Sequence, residues 1–199
     1  MNIYKALYDE VFDMLNTRLP DHLTYHTPAH TRRVIDRAEF ISGHEHVTGR
    51  DLYLVRVAAL FHDIGFIQNN HHHEEFGCEI CTDYLRRYHF SEEDIQSVCG
   101  MIMATRIPQQ PKTHLEKIVA DADLEYLGTD QFYPISRTLY EEFRHYDPQL
   151  TMHRFNEIQV NFLRKHRYHT EYCKNHREAQ KQIHLQEIIN SLQPREPEA

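Results

Sequence analysis

The sequence predicts an all-α protein, and three observations carry that expectation. Apolar residues recur at spacings of three and four along nearly all of the 199-residue chain. The β-branched residues fall on the same helical period and do not alternate as they would along a strand. Glycine is scarce, at six residues, and no internal repeat or low-complexity block interrupts the pattern.

Taken in order, Ile3, Leu7, Val11 and Met14-Leu15 form an apolar stripe that ends at Leu19-Pro20. Thr27 before Pro28 reads as an N-cap followed by proline at the first helical position, and Val34, Ile35, Ala38 and Ile41 carry that helix to about Gly43. Asp51 is the expected cap of the next helix. Its apolar residues Leu52, Leu54, Val55, Val57, Ala58, Leu60 and Phe61 lie on every side, which marks a central, buried element. A polar loop follows over 65–71, and Phe76, Ile80, Cys81, Tyr84 and Leu85 restart a helix. Ser91-Glu92-Glu93-Asp94 resembles a capping box for a helix through Met101 and Ala104. Pro108 and Pro111 break the chain before a helix starting at Thr113 or His114. Further helices are expected from Pro134 to Phe143, from Thr151, and from Thr170 or Glu171, the last being long. Residues 193–199 read as a disordered tail.

Composition narrows the function classes. The length fits one domain, 1–192, with a core at about 22–130 and C-terminal helices over 133–192. A net charge of −8 disfavours a general nucleic-acid or membrane-surface binder. Cys78 and Cys81 make a C-x2-C, but no second pair follows, so buried thiols are expected in place of a zinc site. The N-terminal residues lack a secretory pattern and no apolar run approaches a membrane span, so the expectation is a cytoplasmic protein, monomeric or homodimeric.

The stretch Ala58-Ala59-Leu60-Phe61-His62-Asp63-Ile64-Gly65-Phe66 organises the rest. It delivers a His-Asp pair after a run broken only by Arg56, and an Asp in such surroundings must be paired, protonated or coordinated. With His30 upstream and Asp121 and Asp123 downstream, the chain offers two imidazoles and two carboxylates. That mixed nitrogen and oxygen set suits one divalent ion of the Mn, Fe, Co, Ni or Mg kind. Asp121 and Asp123 point about 200° apart on a helix, so they cannot both ligate in the same way. Asp121 is favoured, because Ile118, Leu124 and Leu127 share its face; Asp123 is then the carboxylate that backs the ligands or faces substrate.

The ordered segments YHTPAH, ALFHDIGF, HHHEEFGCEI and DADLEYLG resemble the HD superfamily of metal-dependent phosphohydrolases over residues 22 to 190, and in particular a small, stand-alone bacterial branch. The resemblance implies a single HD-type helical domain of about eight to nine helices, with His30, His62, Asp63 and Asp121 or Asp123 as metal ligands. It implies a hydrolase that cleaves a phosphate ester of a small metabolite, such as a nucleotide, by metal-activated water, with Asp63 taking part in catalysis as well as ligation. A non-catalytic nucleotide or metal sensor and an HD-like iron oxygenase are the alternatives.

In the wider family a His four residues before a small residue serves a second metal, and His73 stands in that relation to Gly77. A further His of the two-metal members is absent near Ala104-Thr105-Arg106, which favours one ion and leaves His73 to face substrate. Glu74 and Glu75 are in register with family acids that position water or take its proton. Arg32 or Arg33, within one turn of His30, and Arg106 are the expected phosphate-binding cations, with Lys117 a weaker one. Arg137, Tyr140 and Arg144 share a helix face that reads as structural.

Overall fold

The structure, a computed structural model, describes residues 3–193. The expected disordered tail lies outside the described residues from position 194 onward. The described residues form ten α-helices and two short 3-10 turns, with no strand among them. The helices are α1 (Ile3–Arg18), α2 (Pro28–His44), α3 (Gly49–Phe61), α4 (His73–Arg87) and α5 (Glu92–Met103), then α6 (His114–Leu124), α7 (Phe132–Tyr146), α8 (Met152–Lys165), α9 (Glu171–His176) and α10 (Glu178–Leu192). No helix among the described residues is long and apolar enough to cross a membrane.

Local chemistry accounts for most of the helix starts. Thr27 accepts from the His30 amide with Pro28 at the first position, and Ser91 and Thr151 cap α5 and α8 in the same manner. Thr113 and Glu116 complete a reciprocal capping box at α6. Three expectations are corrected. Thr48, not Asp51, occupies the cap position of α3, and Asp51 sits in the first turn. The segment after the His-Asp pair is a 3-10 turn over Ile64–Ile67, and α4 starts at His73 rather than near Phe76. The single long C-terminal helix is two helices broken at Arg177, which raises the count to ten. That break has a packing cause. The Arg177 carbonyl lies so near Gly128 that a Cβ there would sit 2.2 Å from it, while the guanidinium reaches the Glu125 carboxylate at 2.5 Å.

The centre of the molecule is α3. Leu54 and Val55 and the run from Val57 to Phe61 are buried, and the single charge in the run, Arg56, turns outward to Glu39 at 2.6 Å. Helices α2, α5 and α6 pack around it, and α4 covers the turn that follows it. A second apolar cluster joins Tyr25, Leu124, Tyr126 and Leu127 to Phe132 and Ile135 of α7, Val160 and Leu163 of α8, and Leu185 and Ile188 of α10. Leu124 and Leu127 thus bring the C-terminal helices against the side of the molecule where α2 begins and α3 and α6 end.

Candidate metal centre

His30, His62, Asp63 and Asp123 converge from three chain segments. His30 is the third residue of α2, placed there by the Thr27 cap, and is 1 % exposed. His62 and Asp63 follow the last residue of α3, and Asp123 is the penultimate residue of α6. Nε2 of His30 lies 3.1 Å from Nε2 of His62, from Oδ2 of Asp63 and from Oδ1 of Asp123. His62 Nε2 is 3.1 Å from Asp63 Oδ2 and 3.8 Å from Asp123 Oδ1.

Each imidazole is held from behind. Nδ1 of His62 donates to the Ala59 carbonyl at 2.8 Å, which turns Nε2 into the cluster. Arg33 donates to Nδ1 of His30 at 2.7 Å. Burial lowers the basicity of His62, but Asp63 and then Asp123 outweigh it and raise its pKa to about 9. Burial opposes ionisation of Asp63, yet the charge of His62 and the adjoining His30 ring hold its carboxyl well below the usual range.

The residues present fit a divalent cation. Ligand atoms of His30, His62 and Asp123 all lie within 4.8 Å of one another. Oδ2 of Asp63 is buried beside them with no hydrogen-bond partner, although buried polar atoms are nearly always satisfied. A cation at this point would occupy the orphaned lone pairs.

Asp121 does not join this set, which reverses the preference for it as the closing carboxylate. It is fully buried, its side chain turned to the opposite side of α6, where it accepts from the His169 amide at 2.9 and 3.1 Å and from the Thr170 amide and hydroxyl at 2.8 and 2.6 Å. Burial pushes its carboxyl up to about 6 in spite of those donors. The flanking apolar residues that argued for Asp121 report the direction of the core, and Asp121 faces the core.

The other expected residues divide. His73 Nε2 lies 3.7 Å from Asp63 Oδ1 and 3.5 Å from Glu74 Oε1, and its ring stacks on Phe66 at 4.0 Å. Glu74 is buried at the wall of the adjoining cavity, and Arg106 reaches it at 3.3 Å. Glu75 is corrected: it does not line the cavity, is two-fifths exposed, and pairs with Arg106 and with His72. Arg32 is corrected as well. It points to solvent, over the Phe12 ring and within 3.3 Å of the Tyr8 hydroxyl, because it lies on the outer face of α2. Arg33 reaches the cluster only through His30. Lys117 does not line the cavity either. Arg137 pairs with Glu141 and Arg144 lies over Tyr140, both within α7. The four cysteines are free thiols; Cys78 and Cys99 exchange weak bonds across α4 and α5 and form no metal set.

Two features escaped the sequence. Glu142 of α7 accepts from the amides of Tyr25 and His26 at 2.8 and 3.1 Å and from the His26 ring at 2.5 Å, which ties the segment before α2 to the C-terminal half. No spacing rule connects positions more than a hundred residues apart. The second is a cavity of about 600 Å³ that opens from Asp63 and Asp123 and runs between α7 and α8.

The sequence profile of the HD domain matches residues 28–125, the interval that holds all four converging residues. The crystal structure of a predicted HD superfamily hydrolase from an uncultured Thermotogales bacterium is similar, with a TM-score of 0.61 over 92 % of this chain and 90 % of that one, at 21 % identity. At that identity the likeness concerns the fold. The chain matches none of the curated proteins.

Proposed function

An HD domain occupies residues 28–125 of this chain, and from that premise we propose that the protein is a metal-dependent phosphohydrolase cleaving a phosphate ester of a small metabolite. The observation that carries the reading is the buried, unsatisfied Oδ2 of Asp63 within 3.1 Å of two imidazole nitrogens, beside a cavity large enough for a metabolite. One divalent ion, held by His30, His62, Asp63 and Asp123, would supply Lewis acidity toward water and a phosphoryl oxygen.

The remaining work falls to side chains at the cavity wall. Glu74, held by Arg106, would take a proton from an attacking water, with His73 near both Glu74 and Asp63. Arg106 reaches the cavity beside Glu74 and offers a guanidinium to the phosphate. His26 lines the same wall with its ring held by Glu142. Arg33 orients His30 and does not touch substrate.

The test is elemental analysis of the purified protein, followed by chelation and a phosphatase screen in which Mn, Fe, Co, Ni and Mg are restored one at a time. Bound metal, lost in Asp63→Ala, and activity restored by at least one ion are expected. A protein that retains no metal and regains no phosphatase activity with any ion overturns the reading. A coloured, redox-active iron protein without phosphatase activity favours the oxygenase alternative.

A further inference from the structure

We propose that the phosphate ester cleaved at this site carries an apolar alcohol, and that the chamber between α7 and α8 binds that group. The inference rests on the phosphohydrolase reading above for the position of the phosphate, and adds the chemistry of the rest of the substrate.

The chamber is continuous with the site: Asp63, Glu74, Arg106 and Asp123 line one end of the cavity. The other end is lined by Phe132, Leu139 and Phe143 of α7 and Phe155, Ile158 and Phe162 of α8. Native interiors are close-packed, and voids much larger than a water molecule are few. A half-open cleft of about 600 Å³ walled by such side chains is of the size and character of a ligand pocket. At the surface, Ile107 is 52 % exposed and Ile158 38 % exposed, and both belong to the cavity lining, which also carries the exposed His71 and His72.

Most polar residues of the lining, His26, Asn70, His71, His72 and His73 among them, come from the segments that flank the His-Asp cluster, and α7 and α8 add only Gln159. The Thr105 hydroxyl donates to the Ile102 carbonyl at 2.8 Å, and the Gln159 amide donates to Asn156 at 3.2 Å. A nucleobase or sugar placed among the phenylalanines would leave ring nitrogens, amines or hydroxyls unpaired, each at a cost of about 1–3 kcal/mol. An alkyl chain or hydrocarbon ring carries no such penalty and gains from leaving water. The two ends of the cavity thus sort the two ends of an amphiphile. The phosphate meets Arg106 and the His-Asp cluster, and the hydrocarbon meets α7 and α8. In the reaction the water oxygen joins phosphorus, the bond from phosphorus to the alkoxy oxygen breaks, and the apolar alcohol leaves with a proton.

The experiment is a homologous series of ethyl, hexyl and decyl phosphate set against adenosine monophosphate and glucose 6-phosphate, with the metal-loaded protein. The readout is kcat/KM, and binding of the matching alkylphosphonates is measured by calorimetry. Each methylene should raise kcat/KM and phosphonate affinity by about three- to fourfold until the chamber is filled. Phe143→Asn should flatten that dependence in both measurements. Efficient turnover of the nucleotide or sugar phosphate, with no dependence on chain length, overturns the proposal and leaves the hydrolase reading standing. Phosphonate binding that rises with chain length, without hydrolysis of any ester, retains the chamber as an amphiphile site and removes the hydrolase. Calorimetry showing no chain-length dependence overturns the proposal even if every ester is inert.

Discussion

Thr170 donates twice to one oxygen of Asp121, from its main-chain N–H at 2.8 Å and from its hydroxyl at 2.6 Å. The same hydroxyl accepts from the Cys173 amide at 3.2 Å, so the first turn of α9 is anchored to the interior of α6 through a single side chain. Asp123, two residues on, faces the histidines. One helix therefore carries two neighbouring carboxylates turned to opposite sides, one toward the start of α9 and one toward the two imidazoles.

That division predicts opposite phenotypes. Asp121→Asn should keep its metal while losing about 1–3 kcal/mol of stability, because an amide with a single acceptor oxygen cannot accept from all three donors at once. Asp123→Asn should lose metal with little change in the melting temperature of the chelated protein. Elemental analysis and thermal denaturation on both variants check this, and equal metal loss in the two would show that the faces of α6 are assigned wrongly.

Glu74 and Glu75 should separate in the same way. Glu74→Gln is expected to lower kcat by about 10²–10⁴-fold at unchanged metal content, the contribution of a general base. Glu75→Gln should have a far smaller effect, transmitted through Arg106. Comparable losses of kcat in both variants would place the proton elsewhere.

Two glycines near the site should also differ. A Cβ on Gly65 would lie 1.9 Å from the His73 carbonyl and 2.8 Å from the Gly77 amide, so backbone would have to move. Gly65→Ala should cost about 1–3 kcal/mol or more and weaken metal retention by displacing His73 and Asp63. For Gly77→Ala the nearest atom is the Phe61 carbonyl at 3.4 Å, an ordinary contact. Inside α4 that change should be neutral or raise stability by about 0.5–1 kcal/mol. Melting temperatures of the two variants decide the matter, and a stable Gly65→Ala would contradict the close approach of α4 to the turn.

The His26 and Glu142 pair should leave a signature in stability against pH. Burial lowers the pKa of His26, but the Glu142 hydrogen bond and nearby carboxylates raise it above the ordinary 6.5. Burial opposes ionisation of Glu142, yet the His26 contact and the backbone donors lower its pKa below the ordinary 4.5. The histidine contribution is complete below its unfolded pKa and fades as pH rises through the folded value. The glutamate contribution is complete above its unfolded pKa and fades as pH falls through the folded value. In chelated protein, the stability advantage of the native chain over Glu142→Gln should therefore be greatest between pH 4.5 and 6.5 and shrink on both sides. A flat difference across pH 3 to 9, measured by thermal denaturation, would show that the two groups do not titrate against each other.

The sequence by itself determined the helical character, most of the helix starts and three of the four converging residues. Each of these is written in local order. Caps such as Thr27 and Thr113 act within three residues, helical period is a short-range pattern, and the apolar run before His62 marks the pair that follows it as buried. Only the tertiary structure decided between Asp121 and Asp123, because that choice depends on what packs against each side of α6, and the partner of Asp121 lies at positions 169 and 170. It likewise removed Arg32 and Glu75 from the site, as residues one position apart on a helix diverge by about 100° and sequence does not say which of them faces inward. The His26 and Glu142 pair and the chamber between α7 and α8 had no sequence signature. Both arise where segments distant in the chain are brought together by burial of apolar area, a force that is strong but carries no direction along the sequence.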